Sequence, residues 1–240
     1  MELWPSIDLL GGKVVRLHQG DYDKVTVYHD DPVALAASWR GVARHLHVVD
    51  LEGARSGRRV EGDLVARIVQ AFGDGVEVAG GIRDREAIET CLATGAQRVV
   101  LGTAAIRTPD LVRSAAAAHP GAIVLAVDAK DGKVATDGWL SVSTRTAVEV
   151  VREMADLPLA AVLYTDIARD GTQVGPNIEA TARLAREGGL PVLASGGVSK
   201  LDDLSRLAEH PGIAGAIVGR ALYEKVFTLA DAVRTAAGHP

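Results

Sequence analysis

The chain has one cysteine, no excess of basic charge, no motif of a common metal site and no apolar run long enough to span a bilayer. Each absence removes a class of protein. A single thiol, Cys91, cannot form an intrachain disulfide, so a reducing compartment is expected, with Cys91 a small packing residue inside a predicted helix over 84–94. A formal charge of −5, from 26 basic and 31 acidic residues, argues against a broad nucleic-acid or membrane surface. It leaves room for local cationic pockets that take a small anion. The N-terminus enters an apolar strand with no basic leader or small-residue cleavage pattern, and no stretch approaches the length of a membrane-spanning helix. A soluble, cytoplasmic protein is expected. The seven histidines are scattered and no H-E-x-x-H occurs, so no metal is expected.

What the chain does have is alternation. Short apolar runs recur at Leu3–Leu10, Leu46–Leu51, Val76–Ala79, Arg98–Leu101, Ile123–Val127, Ala161–Thr165, Pro191–Ala194 and Ala214–Val218. Near-continuous runs of this length fit strands buried on both faces of a parallel sheet. Helix-periodic segments lie between them. Pro32–Gly41 places Val33, Ala36, Ala37 and Trp39 on one side; Leu64, Ile68 and Phe72 form the next stripe; Ala147–Met154 and Ile178–Ala185 follow. Asp84 and Asp202 are candidate N-caps, and Thr108 with Pro109 opens a further helix. An open doubly wound sheet is the main competitor, but the first strand is followed by Asp8-Leu9-Leu10-Gly11-Gly12-Lys13, not by G-x-G-x-x-G. Eight strand–helix units in 240 residues predict one (β/α)₈ barrel, a fold typically of roughly 250 residues.

The strand ends repeat. Gly80-Gly81 recurs as Gly196-Gly197, Gly102-Thr103 as Gly219-Arg220, Asp50 as Asp166 and Asp8 as Asp128, all at offsets of 116 to 120 residues. Four matches in the same order predict a doubled half-barrel, about 1–120 and 121–240, within a single domain over 1–240. Every match lies at the C-terminal end of a strand, where barrel enzymes keep their active sites.

A phosphate needs converging backbone N–H groups with no Cβ in the way, best at a helix N-terminus. Gly80, Gly81, Gly102 and Thr103 offer that in the first half, and Gly196, Gly197, Gly219 and Arg220 in the second. Tight turns alone would also use glycine, but the pairing at matched strand ends favours two phosphate sites and one elongated bisphosphate substrate across the mouth. Gly171, in the polar stretch Asp170-Gly171-Thr172-Gln173, is placed to close over the second phosphate as part of a lid.

Asp8 and Asp128 project between these sites. A carboxylate ending an apolar strand is costly unless paired or used, and a salt bridge to Lys13 or Lys130 stays open as the structural alternative. Two related by the repeat favour acid–base work. Aldose–ketose isomerisation needs one group to protonate the ring oxygen and another to take the proton from the adjacent carbon. Thr165 is placed to hydrogen-bond the reacting sugar. Arg16 and Arg83 are candidate substrate contacts or solvated arginines; His47 is a candidate contact or a satisfied core histidine. Trp139, after Asp137-Gly138, is either a stacking platform or a rim cap.

The segments Pro5-Ser6-Ile7-Asp8-Leu9-Leu10-Gly11-Gly12-Lys13-Val14-Val15-Arg16-Leu17, Leu46-His47-Val48-Val49-Asp50-Leu51 and Gly80-Gly81-Ile82-Arg83 carry a family resemblance. So do Gly102-Thr103-Ala104-Ala105, Asp128 with Gly138-Trp139, Thr165 to Thr172, Ala194 to Val198 and Val218 to Tyr223. Together they resemble the phosphoribosylformimino-5-aminoimidazole carboxamide ribotide isomerases of histidine biosynthesis, from Leu3 to the helix after Tyr223. The resemblance implies a cofactor-free Amadori rearrangement of an aminoaldose to an aminoketose, with Asp8 as proton acceptor and Asp128 as proton donor. Two relatives compete: the cyclase subunit of imidazole glycerol phosphate synthase, which usually reads Cys-Leu-Asp where this chain has Ser6-Ile7-Asp8, and a bifunctional isomerase that also accepts phosphoribosyl anthranilate. The stretch from Asp137 to Ser143 looks more like the single-substrate enzymes. Ser6 departs from the alanine common there. A monomer is expected, because a closed barrel leaves no sheet edge to cover.

Overall fold

The computed structural model describes residues 1–136, 139 and 141–238. In chain order its strands are β1 (Glu2–Leu10), β2 (Lys13–His18), β3 (Asp21–His29), β4 (Leu46–Asp50), β5 (Val76–Ala79), β6 (Arg98–Leu101), β7 (Ile123–Lys130), β8 (Lys133–Thr136), β9 (Ser141–Thr146), β10 (Ala161–Asp166), β11 (Val192–Ser195) and β12 (Ile213–Val218). The helices are α1 (Pro32–Trp39), α2 (Leu51–Ser56), α3 (Gly62–Phe72), α4 (Arg85–Ala93), α5 (Thr103–Arg107), α6 (Pro109–Ala118), α7 (Ala147–Arg152), α8 (Ile178–Gly188), α9 (Leu201–Ala208), α10 (Arg220–Tyr223) and α11 (Leu229–Ala236).

Eight strands close a parallel ring in the order β1-β4-β5-β6-β7-β10-β11-β12. The β7–β10 and β12–β1 pairings complete it. Each of the eight predicted runs is one of these strands. Alternation then divides the apolar residues. Trp4, Val100, Val124, Leu163, Leu193 and Ile217 fill the barrel interior, whereas Ile7, Leu9, Val48, Val78, Leu101 and Leu125 pack outward against the helices. Side chains such as Ile7 and Leu125 are fully buried; each contributes about 1.5–3 kcal/mol in the transfer from water.

Four strands lie outside the predicted set. β2 and β3 form an antiparallel extension of β1, and β8 and β9 extend β7 in the same way. The β1–β2 turn is Gly11-Gly12 and the β7–β8 turn is Asp131-Gly132, all with positive φ, the backbone that a two-residue hairpin demands. Asp8 and Asp128 therefore sit inside strands that continue past the barrel, two residues before each strand's end.

The helix stripes hold with two corrections. Ala37 is exposed in α1, and the half-buried Leu35 takes its place against the core. Asp84 caps α4 by accepting from the Ala87 N–H at 2.8 Å, but Asp202 does not cap α9. Asp203 does, buried, accepting from the N–H of Ser199 at 2.8 Å and of Lys200 at 3.1 Å. One step along the helix turns Asp202 outward, where it meets only the exposed Lys200 at 3.3 Å. Among the described residues no helix is long and apolar enough to cross a membrane.

Replacing Asp203 with Ala should lower unfolding free energy by about 2 kcal/mol, because two backbone N–H donors and the Ser199 hydroxyl lose their acceptor. Asp202→Ala should stay within about 0.5 kcal/mol. Urea denaturation of the two variants side by side checks the assignment, and equal losses would refute it.

Candidate active site

The ring order puts β1 and β7 four strands apart in a ring of eight, so Asp8 and Asp128 stand on opposite walls of one pocket at the C-terminal mouth. The same pocket is lined by Gly80, Gly81, Gly102, Thr103, Gly171, Gly196, Gly197, Gly219 and Arg220, together with Arg16, His47, Arg83, Trp139 and Thr165. Every residue singled out for the site is brought to it. Asp137 and Gly138, which precede Trp139 in the motif, lie outside the described residues.

The glycine turns are braced from below by the preceding βα loops. Asp50, buried at the end of β4, accepts from the N–H groups of Gly53, Val60 and Glu61 at 2.7 to 2.9 Å and so ties its loop into a compact platform. Gly80 lies on that platform with φ +99°, and a Cβ there would meet the Asp50 carbonyl oxygen at 2.1 Å. Gly81 is pressed equally onto the backbone of Arg58. In the other half Asp166 accepts from the Ala168 N–H at 3.0 Å and from Asn177 Nδ2 at 2.6 Å. Gly197 lies against Gly175, whose N–H donates to the Gly197 carbonyl at 3.0 Å. Gly102 and Gly219 open α5 and α10, and neither supplies a capping side chain to the first turn. Both turns line the pocket.

The charged groups meet in the centre. Asp8 is ion-paired, but with neither lysine considered from sequence: Arg16, on β2, places Nη1 2.5 Å from Asp8 Oδ2, while Lys13 turns out to Asp30. Ser6 donates to the other oxygen of Asp8 at 3.0 Å. Burial outweighs the pull of Asp8, Tyr223 and Asp170 as the largest single effect on Arg16, yet their combined attraction holds its guanidinium more firmly protonated than usual. The Arg16 head lies directly over Gly219, which leaves no space for a side chain. Asp128 accepts from Trp139 Nε1 at 2.8 Å and from Thr165. Burial nonetheless raises its pKa, against the lowering effect of both hydrogen bonds.

Trp139 reaches across the mouth. Its ring spans from Asp128 to the β2–β3 turn, where it packs on Gly20. Arg83 directs Nη2 to the Ala54 carbonyl at 3.2 Å, Arg220 donates to the Gly171 carbonyl, and His47 Nδ1 is 2.6 Å from Glu77 Oε1.

One carboxyl escaped the sequence reading. Asp170 was placed in a lid, but it faces the same pocket as Asp8 and Asp128. Burial pushes its pKa up to about 6; Arg16 opposes the shift, and the charges of Asp8 and Asp128 add to it. A lone aspartate in a polar stretch carries no local signal of this, since only the fold of the β10 loop turns it inward. Tyr223 was missed similarly; its hydroxyl donates to the Ser6 carbonyl at 2.6 Å and its ring lies 5.7 Å from the Arg16 guanidinium.

Comparison with known proteins adds an independent line. The family model described as histidine biosynthesis protein matches residues 2–228. A protein of Sorangium cellulosum named 1-(5-phosphoribosyl)-5-((5-phosphoribosylamino)methylideneamino)imidazole-4-carboxamide isomerase is 59% identical over 239 residues, 98% of this chain and 99% of that protein. Proteins of the same name from Synechocystis sp. and Hahella chejuensis are 50% and 49% identical, over 98% and 97% of this chain and 93% and 97% of their own.

Gly80→Ala should destabilise the chain by about 3 kcal/mol or more, since the Cβ meets backbone that cannot yield. Gly132→Ala, also at positive φ but with nothing within 4 Å, should cost only about 1 kcal/mol. Comparable thermal shifts in the two variants would contradict the platform. A second expectation concerns pH. Folded Asp170 keeps its proton from the ordinary 3.8 up to about 6, a window in which the unfolded chain has lost it, so this contribution to stability falls as pH rises through it. Asp170→Asn has no such proton to lose. Its urea midpoint relative to wild type should climb between about pH 4 and pH 6 and then level, and a flat difference would show that Asp170 titrates normally.

Proposed function

The chain belongs to the histidine biosynthesis protein family, and from that premise we propose that it is the isomerase which converts a bisphosphorylated aminoaldose, the phosphoribosylformimino aminoimidazole carboxamide ribonucleotide, into its aminoketose. The observation that carries this reading is the arrangement of the mouth. Two carboxylates face each other from opposite walls, and a glycine cradle stands to either side. A doubled half-barrel, about 1–120 and 121–240, accounts for the duplicate cradles.

The chemistry follows from where protons are held. Gly80, Gly81, Gly102 and Thr103 take one phosphate through backbone N–H groups; Gly196, Gly197, Gly219 and Arg220 take the other, under Gly171. Two anchored ends suspend the reacting ribose between Asp8 and Asp128. Asp128, whose pKa is raised by burial, donates a proton to the ring oxygen. The bond from that oxygen to the first sugar carbon breaks as the nitrogen lone pair forms a Schiff base. Asp8 then takes the proton from the second carbon, giving an enaminol. Return of a proton to the first carbon, with loss of the hydroxyl proton, yields the ketone. Thr165, bonded to Asp128, steadies the donor and the sugar hydroxyls. Asp170, protonated up to about pH 6, is a further acid within the pocket. Arg16 and Arg83 supply planar donors to the substrate, and Trp139 supplies a ring face for the imidazole. No cofactor enters these steps.

The names of the relatives favour this reaction over the cyclase and over added activity on phosphoribosyl anthranilate. Asp8→Asn and Asp128→Asn should each lower kcat by roughly 10²-fold or more, the usual worth of a positioned acid or base. Inorganic phosphate should still bind and protect against thermal unfolding. Steady-state turnover of the aminoaldose is the measurement, and full activity in either variant would remove the assignment.

A further inference from the structure

Removing a carboxylate from water costs several kcal/mol unless hydrogen bonds replace the lost solvent. Glu77 is wholly buried. Along β5, Val76 and Val78 pack outward against the helices, so Glu77 and Ala79 face the barrel interior. One oxygen lies 2.6 Å from His47 Nδ1, and the other has no hydrogen-bond partner. Its neighbour on β6, Arg98, turns instead over the Trp4 ring, 5.1 Å from the centroid. A half-satisfied buried acid is a poor stabiliser of a barrel core. What it does accomplish is local to His47. That ring is 5% exposed and, unlike Glu77, reaches the pocket shared by Asp8, Asp128, Asp170 and Thr165.

We propose that Glu77 is a positioning residue for the isomerisation: it accepts the hydrogen bond of His47 Nδ1 and so presents Nε2 to the pocket as an acceptor for a ribosyl hydroxyl of the substrate. A carboxylate only accepts, so the nitrogen it contacts carries the hydrogen, and in the neutral ring the far nitrogen is then bare. The pair also holds the plane of the ring, because β4 and β5 place His47 and Glu77 side by side in register. A substrate hydroxyl bonded to Nε2 is fixed in rotation, which aligns the neighbouring carbon with its base. The logic is that of a catalytic imidazole oriented by a third group behind it. This inference rests on the isomerase reading above.

Glu77→Gln keeps the shape of the side chain but offers both a carbonyl and an amide, so the ring loses its fixed tautomer. The variant should fold, hold KM within about 3-fold and lose roughly 10-fold or more in kcat. His47→Asn should show a loss of similar kind. Because Glu77 acts through His47, the double variant should be no slower than His47→Asn alone. Nitrogen-15 spectra of histidine-labelled wild type should show Nδ1 protonated and Nε2 bare, and Glu77→Gln should disturb that signature. Wild-type kcat in Glu77→Gln, losses that multiply in the double variant, or a bare Nδ1 in wild type would each overturn the proposal. Should Glu77→Gln not fold, the wild-type spectrum decides by itself. A wild type that leaves the aminoaldose untouched would instead defeat the isomerase reading, while the spectra still report on the tautomer.

Discussion

Closure of the parallel sheet is the constraint on which the site depends. Once β10 pairs with β7 and β12 with β1, no strand can turn without disturbing two neighbours. The period-2 alternation then assigns every second residue to the interior. Asp8 and Asp128 point at each other for that reason, across a distance set by strand count and tilt rather than by their own chemistry. Trp4, Val124 and Leu163 pack the floor below them, with the buried Glu77 as a polar exception.

Those charges are treated differently on the two walls. Asp8 has a guanidinium at 2.5 Å and a serine hydroxyl at 3.0 Å. Asp128 has an indole N–H and a hydroxyl, and burial raises its pKa. Two carboxylates from matched positions thus stand in different surroundings, one ion-paired and the other desolvated. Arg16 and Trp139 come from the two hairpin extensions, the parts of the fold that lie outside the barrel ring. The ring places the carboxylates, and the hairpins differentiate them.

The glycine turns at the mouth depend on a second layer of the same kind. Gly80 and Gly81 need positive φ, but they also need a floor, provided by the loop that Asp50 gathers with three backbone hydrogen bonds. Asp166 does comparable work under Gly196 and Gly197. The aspartates that end β4 and β10 stand behind the pocket wall, and the glycine turns that line it rest on the loops they fold.

Read by itself, the chain determined a good deal. Continuous apolar runs, separated by helix-periodic segments, specify eight parallel strands, because such runs fit burial on both faces of a sheet. Glycine pairs and aspartates at matched strand ends mark the mouth, because only glycine admits backbone so close to another chain segment. What tertiary structure alone decided is which polar groups meet. Lys13 is nearer to Asp8 in sequence than Arg16, but alternation along β2 turns Lys13 outward and Arg16 inward. Asp202 and Asp203 look alike in the chain, and a turn of about 100° around the helix axis separates an exposed residue from a cap. Asp170 and Glu77 carry no local mark at all. Their neighbours in space lie on strands far away in sequence, and a carboxyl takes its chemistry from those neighbours.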